Sequence, residues 1–265
     1  GTARVSAPSL APNPAQELVE RSATAPIDYG VPYLNDFLMR GFLVAATDYY
    51  GLGGPGVHQY FVGATAARNG LDIARAARNL QDVGAGSEVI TFGWSQGGHA
   101  ALFTAEEQPG YAAELIHRGA VAIAPGTTAG FRYVNIPHIY LTMRAYESAY
   151  YAPLTGLTSQ GRALVDKAAD VSVTGVFQES AKLSGPFFTG IWDPTMQKAL
   201  AMNVPGQRKS PTPILVTQGT KDDVVLPEWT GQLLSRSLKA GDLIKVSWYD
   251  GATHRSVIEA AKPEI

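Results

Sequence analysis

A serine between two glycines is the first group in this sequence that could do chemistry. Residues 93–97 read Gly-Trp-Ser-Gln-Gly, the pattern G-x-S-x-G, after an apolar β-branched segment and before a helix-like one. A serine on a sharp turn between a strand and a helix exposes its hydroxyl, and the glycines let the two backbones approach each other. The pattern predicts Ser95 as a nucleophile. Because the chain has 28 glycines, the pattern alone is weak and the prediction depends on partners elsewhere.

A serine nucleophile needs a base and an acid, and in a strand–turn–helix framework they follow it in the order Asp/Glu, then His. Asp222 and Asp223 follow a predicted strand at 213–218, and His254 follows another at 244–249. Active sites in open α/β sheets lie at the carboxyl ends of strands. The imidazole can take the serine proton near neutral pH and return it to the leaving group, while a carboxylate fixes its tautomer. We predict Asp222 as the acid because it comes first after the turn, with Asp223 as the alternative.

Two other histidines need an interpretation. His99 lies four residues after Ser95 on the predicted helix, and we expect it to be a buried core histidine rather than the base. His58 is predicted to pack a loop or begin a helix. No cluster of residues has metal-ligand spacing, and no glycine-rich loop matches a nucleotide cradle. We therefore expect no metal and no cofactor.

The elements that would position these residues alternate between strands and helices, which predicts an α/β fold with a mostly parallel sheet flanked by helices. Predicted strands lie at 41–47, 88–92, 120–124, 213–218 and 244–249, and predicted helices at 33–40, 62–80, 97–107 and 228–240. On the second helix the predicted buried stripe is Ala66, Gly70, Ile73, Ala77 and Leu80. An aromatic-rich segment interrupts the alternation and is predicted to be an inserted helical lid. The predicted domains are a catalytic core of 1–125 and 211–265 and a lid of 126–210.

Composition excludes several classes of partner. The net charge is −2, which gives no reason to expect nucleic acid, and no apolar run reaches the about 18 residues of a membrane-spanning helix. We therefore expect no stable membrane insertion. The chain has no cysteine, so disulfides and cysteine catalysis are excluded. A hydrophobic content of 45% is enough for a sizeable core.

Four stretches together give a specific resemblance, and they are 45–53, 93–98, 218–225 and 251–254. On these stretches the chain resembles the secretory lipase family of the α/β-hydrolase superfamily, the group of fungal lipase A and actinobacterial secreted lipases and esterases. The resemblance implies a catalytic triad of Ser95, Asp222 and His254. It also implies a secreted serine carboxylic ester hydrolase of lipid degradation, an esterase or lipase. Its substrate would be a small-molecule or lipid ester, hydrolysed through an acyl-enzyme.

The same chemistry needs an oxyanion hole. In this fold the residue after the nucleophile supplies one backbone N–H, which here is Gln96. A second donor should come from the loop after an upstream strand. Residues 1–2 resemble the end of the family's oxyanion loop, so Thr2 is the candidate for this donor. The family has further strands upstream. We therefore expect N-terminal strands to be missing from this chain, and the alternative is that the sheet is smaller here. We also expect the predicted strand at 41–47 to pair with backbone from an N-terminal segment outside the chain or from a second copy.

Two other functions use the same features. A serine peptidase or an acyltransferase could use the same three residues, since fold and triad do not fix the acyl acceptor. A non-catalytic binding module on the hydrolase fold is disfavoured because all three residues are retained. Peptide p-nitroanilides tested beside p-nitrophenyl esters separate the peptidase from the esterase, and a fluorophosphonate probe separates the binding module from any enzyme.

Overall fold

Four parallel strands form the centre of the fold. The computed structural model describes residues 31–52, 54–127, 138–171, 173–184, 186–188 and 192–265. The strands are β1 (Glu88–Trp94), β2 (Ile116–Ile123), β3 (Ile214–Gly219) and β4 (Ile244–Tyr249), adjacent in that order. Every neighbouring pair is parallel. All carboxyl ends therefore meet at one edge of the sheet, where the loops after β1, β3 and β4 lie together.

Nine helices are found in the described residues. They are α1 (Leu34–Met39), α2 (Gly63–Asn79), α3 (Gln96–Tyr111), α4 (His138–Tyr150), α5 (Ser159–Lys167), α6 (Val173–Ala181), α7 (Pro194–Met202), α8 (Pro227–Ala240) and α9 (Ser256–Ala261). Helix α3 packs on β1 and β2 and against α2, while α8 and α9 pack on β3 and β4. Helix α8 begins with Pro227 and is followed by the capping residue Gly241, whose φ of 89° is a left-handed conformation that glycine adopts at little cost. None of the helices described could span a bilayer, being too short or too polar.

The sheet core is made of small and branched side chains. Leu102 and Ala105 of α3 pack against Ala122 of β2 and Val216 of β3, and Leu233 of α8 completes the cluster. Small residues on β2 let α3 approach the sheet closely. Truncating one such buried leucine to alanine typically costs about 2–5 kcal/mol of the free energy of unfolding.

The four helices α4 to α7 between β2 and β3 have their own core. Its largest fully buried side chains include Tyr140, Met143 and Tyr146 of α4 and Met196 of α7. Tyr146 donates a hydrogen bond to the backbone oxygen of Phe61 at 3.0 Å, which joins this core to the segment before α2. The predicted aromatic helical insertion is therefore present as a set of packed helices. Its division from the rest as a lid domain stays a prediction.

Asn203, directly after α7, attaches the end of this insertion to helices α2 and α3. It is 2% exposed. Its Oδ1 accepts the backbone N–H of Gly63 at 2.7 Å, and its backbone oxygen is 2.9 Å from Nε2 of His99. Its amide also bonds Tyr150 of α4 at 3.0 Å. One residue therefore connects α2, α3 and two helices of the insertion, the contact to α3 being made by its backbone oxygen.

The strand predicted at 41–47 is wrong. These residues are not in a strand and have no sheet partner in the described part of the chain, and Phe42 and Leu43 are 47% and 39% exposed. The apolar, β-branched pattern is typical of a strand, but a strand also needs a neighbour to bond its backbone. On this side of the described sheet the outer strand is instead β1. Its register shifts between Val89 and Ile90, an irregularity of the kind that protects exposed edges.

The buried stripe predicted on α2 is partly wrong. Ala66 and Ala77 are buried, but Leu80 is 44% exposed and Leu71, which lay outside the predicted stripe, is 1% exposed. Leu80 caps the helix in an extended conformation (φ −73°, ψ 126°), so its side chain leaves the helical stripe. Residues 1–30 lie outside the described residues, so the expected pairing with an N-terminal segment or a second copy stays a prediction.

Candidate active site

Ser95 lies on the predicted sharp turn between β1 and α3. Its φ of 56° and ψ of −114° are strained for a residue with a side chain. The backbone N–H of Ser95 donates to the oxygen of Ile123 at 2.9 Å, which fixes the turn to the neighbouring strand. A Cβ on Gly93 would lie 2.1 Å from the oxygen of Gly97. Glycine is therefore required at position 93, because the backbone of the strand end crosses that of the helix start there.

His254 bridges the serine and a carboxylate. Its Nε2 is 3.0 Å from Oγ of Ser95, and its Nδ1 is 2.8 Å from Oδ2 of Asp222. A carboxylate only accepts hydrogen bonds, so Nδ1 donates to it and Nε2 is free to accept the serine O–H. The side chain of His254 is 12% exposed and that of Asp222 is fully buried. The imidazole is thus reachable from solvent while its acid partner is not.

The carboxylate of Asp222 is oriented by three further donors. Its Oδ1 accepts the backbone N–H groups of Val224 at 2.9 Å and Val225 at 2.8 Å, and its Oδ2 accepts Nε2 of Gln218 at 3.0 Å. Asp223, the alternative acid, is exposed. The geometry therefore favours Asp222 over Asp223, and the catalytic role of either stays a prediction.

The loop that carries Asp222 and the loop that carries His254 are held against each other. A Cβ on Gly219, at the end of β3, would lie 2.2 Å from the oxygen of Ala252, so only glycine allows this approach. The N–H of Lys221 donates to the same oxygen at 2.9 Å. The indole of Trp94 donates to the backbone oxygen of His254 at 2.8 Å, and the two rings are 5.0 Å apart. Trp94 is a contact that the sequence pattern did not reveal, since that position of the motif accepts any residue.

Of the two predicted oxyanion donors, the structure describes Gln96 but not Thr2. Gln96 is the first residue of α3, so its backbone N–H belongs to the first helical turn, where N–H groups have no partner within the helix. This N–H follows directly on Ser95 and lies at the positive end of the helix dipole. Thr2, the predicted second donor, lies outside the described residues. Both assignments remain predictions.

His99 is the buried core histidine that the sequence predicts. It is fully buried, Nε2 donates to the backbone oxygen of Asn203 at 2.9 Å, and its ring packs on Phe61 and Phe103. Burial lowers the pKa of His99 to about 4, so the ring is neutral at physiological pH.

His138 and His58 were not expected near the site. His138, at the start of α4, stacks on Tyr60 and lies edge-on to Phe177, with ring centroids 6.3 and 4.9 Å apart. Burial, with a smaller effect of nearby His254, lowers the pKa of His138 to about 4. His58 contacts the side chain of Gln96. No motif singles out either residue, and only the fold brings them here.

Within the ranges that the structure describes, no group of three or more His, Cys, Asp or Glu side chains could hold a metal ion. The groups assembled at the site are a hydroxyl, an imidazole, a carboxylate and a helix N-terminus. Together they can transfer a proton from the hydroxyl and stabilise negative charge on an oxygen.

Comparison with solved structures defines the class of fold as α/β-hydrolase. The rice cell wall degrading esterase LipA from Xanthomonas oryzae matches with a TM-score of 0.72 and 17% identity, over 100% of this chain and 77% of that one. Candida antarctica lipase A in its closed state matches with a TM-score of 0.60 and 19% identity, over 74% of this chain and 51% of that one. The predicted fold class is therefore confirmed.

Sequence comparison identifies the family. The model described as secretory lipase matches residues 18–233, so the chain belongs to the secretory lipase family. The secreted triacylglycerol lipase LIP5 of Malassezia furfur is 26% identical over an alignment 209 residues long, which covers 71% of this chain and 53% of that protein. The chain thus spans about half the length of this curated relative.

Proposed function

We propose that this protein hydrolyses carboxylic esters through an acyl-enzyme formed on Ser95. The observation that carries the proposal is the continuous hydrogen-bonded series from Ser95 Oγ through the imidazole of His254 to Asp222, with separations of 3.0 and 2.8 Å. Such a series activates a hydroxyl that is otherwise a weak nucleophile.

In the first half-reaction Oγ of Ser95 attacks the ester carbonyl carbon while Nε2 of His254 takes the hydroxyl proton. The carbonyl oxygen becomes negative and accepts the backbone N–H of Gln96. The C–O bond to the alcohol then breaks, and the imidazolium returns its proton to the leaving oxygen. Asp222 stabilises the imidazolium throughout. A water molecule, deprotonated by His254, then attacks the acyl carbon, the C–O bond to Ser95 breaks, and the imidazolium returns its proton to Oγ, which releases the acid and restores Ser95.

Family membership and the insertion support a lipid ester as substrate. The curated relative is named a secreted triacylglycerol lipase, and the insertion beside the site carries aromatic side chains such as Phe177, which is 41% exposed. Apolar side chains near a reactive serine suit an acyl chain. We accordingly propose an esterase or lipase acting outside the cell, where the family is named as secretory.

The test is hydrolysis of p-nitrophenyl esters of increasing acyl length by wild type and by Ser95→Ala and His254→Ala. We expect each variant to lower kcat by at least about 10⁴-fold, since the members of a triad act as a unit. A fluorophosphonate probe should label wild type and leave Ser95→Ala unlabelled. Ester turnover that persists in Ser95→Ala at wild-type rates, or wild type that turns over peptide p-nitroanilides but no ester, would contradict the proposal.

A further inference from the structure

A second histidine contacts the turn that carries the nucleophile. Nε2 of His58 is 3.3 Å from Nε2 of the Gln96 side chain, and Nδ1 of His58 is 3.1 Å from the backbone oxygen of Tyr50. A carbonyl only accepts, so Nδ1 carries the ring proton and Nε2 accepts an N–H of the Gln96 amide. Only the neutral ring can make both contacts. His58 therefore connects its loop to Gln96 in one defined protonation state.

The surroundings hold the His58 ring in this orientation. The rings of Tyr49 and Tyr60 have centroids 6.1 and 5.9 Å from it. Burial lowers the pKa of His58, which keeps the ring neutral at physiological pH. A Cβ on Gly51 would lie 2.4 Å from the backbone nitrogen of His58, so the loop closes tightly on itself at this point.

The loop is in turn fixed to a helix. The N–H of Tyr50 donates to Oδ1 of Asn69 on α2 at 2.8 Å. Helix α2 packs along α3, which begins at Gln96. A series of hydrogen bonds thus runs from α2 through Tyr50 and His58 to the first residue of α3, independently of the sheet.

We propose that His58 is a positioning residue of the oxyanion pocket, which acts by holding the side chain of Gln96. The inference rests on the proposed function, in which the backbone N–H of Gln96 stabilises the developing oxyanion. A hydrogen bond weakens steeply as its angle closes, so a donor at a helix end must be held in orientation to be effective. Without the contact to His58, the Gln96 side chain is free to take another rotamer beside Ser95. Its amide would then compete with the backbone N–H of Gln96 for the substrate oxygen.

A double-mutant cycle tests the coupling. His58→Phe keeps a planar ring and removes both nitrogen contacts, and Gln96→Met keeps the chain length and removes the amide. We expect each single variant to lower kcat for p-nitrophenyl butyrate about tenfold, less than the roughly hundredfold loss of a whole donor, with KM changed by less than about twofold. The double variant should be no slower than either single variant, because both remove the same contact. Binding of an alkyl boronic acid, which forms a tetrahedral adduct on serine, should weaken by the same factor as kcat.

Two smaller substitutions separate positioning from packing. His58→Gln keeps an acceptor near the Nε2 position, and His58→Asn keeps only a donor near the Nδ1 position. We expect His58→Gln to recover most of the lost kcat and His58→Asn to recover none. Rates are taken per active site by fluorophosphonate titration, so that loss of folded protein does not lower the measured kcat.

Three results would overturn the inference while leaving the proposed function intact. They are a double variant about a hundredfold slower than wild type, a change confined to KM, and equal recovery by His58→Gln and His58→Asn. Wild type without ester turnover would overturn both proposals.

Discussion

Asp222 and Asp223 are adjacent in the chain but lie in different surroundings. Asp222 is buried and accepts hydrogen bonds from His254, Gln218 and two backbone N–H groups, whereas Asp223 is exposed. We expect Asp222→Asn to lower kcat about 10⁴-fold, because the amide cannot hold the imidazole in the required tautomer. Asp223→Asn should change kcat by less than about threefold. Steady-state kinetics on p-nitrophenyl butyrate measure both, and the reverse order of effects would reassign the acid.

Candidate site residues could be named from the sequence where the chemistry fixes the residue type, and their catalytic roles stay predictions. Ser95, Asp222 and His254 could be named from the sequence because each follows a strand and the order of the three is fixed by the fold. His58 and Trp94 contact the same site. They could not be named, because a loop histidine and a tryptophan within a motif have no spacing that marks their partners.

The turn between β1 and α3 allows a matched test on two glycines. A Cβ on Gly93 would lie 2.1 Å from the oxygen of Gly97, whereas a Cβ on Gly97 would meet no heavy atom within 4 Å. We expect Gly93→Ala to lower the free energy of unfolding by about 3 kcal/mol or more, since backbone must move. Gly97→Ala, on α3, should raise it by about 0.5–1 kcal/mol. Urea unfolding followed by circular dichroism measures both, and equal effects would show that the crossing of the two backbones is not the constraint.

The helical insertion is expected to control which acyl chains are accepted. Phe177 of α6 is 41% exposed and its ring lies 4.9 Å from that of His138, which is close to His254. We expect Phe177→Ala to lower kcat/KM for long-chain esters about tenfold relative to butyrate, because an apolar wall is lost, while turnover of butyrate is kept.

Tyr151→Ala is the control for this test. Tyr151 is 88% exposed at the end of α4 and should not alter the preference. An unchanged ratio of long-chain to short-chain kcat/KM in Phe177→Ala would mean that the insertion is only structural.

Elements were predicted from periodicity with two kinds of error. The four strands of the sheet and helices α2, α3 and α8 were found because apolar periodicity and turn residues mark them. The segment 41–47 has a strand-like pattern without a partner, and Leu80 lies one residue beyond the end of a helix. Apolar periodicity does not show whether a segment has a neighbouring strand to pair with, and it does not show at which residue a helix ends.

Buried neutral histidines make the stability of the whole molecule depend on pH. Burial lowers the pKa values of His99, His117 and His138 to about 4, from an ordinary value of 6.5. Between these values the unfolded chain binds protons that the folded chain does not, so the free energy of unfolding falls as pH decreases. Each histidine can contribute about 1 kcal/mol per pH unit in this window, and nothing above it.

His117→Gln isolates one of these contributions. His117 bridges the hydroxyls of Thr91 and Thr212 at 2.9 and 3.2 Å, and glutamine can keep a polar contact without titrating. We expect the decrease of the free energy of unfolding between pH 6.5 and pH 5 to be smaller in the variant by about 1.5 kcal/mol. Urea unfolding at a series of pH values measures it, and parallel curves for both proteins would contradict the assignment.

The bonds made by Asn203 set the mechanics of the insertion. This residue joins the end of α7 to the start of α2 and to His99 on the helix that carries the nucleophile. Movement of helices α4 to α7 away from the sheet would therefore strain the bonds of Asn203, together with the hydrogen bond from Tyr146 to Phe61. Because His99 follows Ser95 by four residues, such a movement would be transmitted to the start of α3, next to the serine, through the bond between Asn203 and His99.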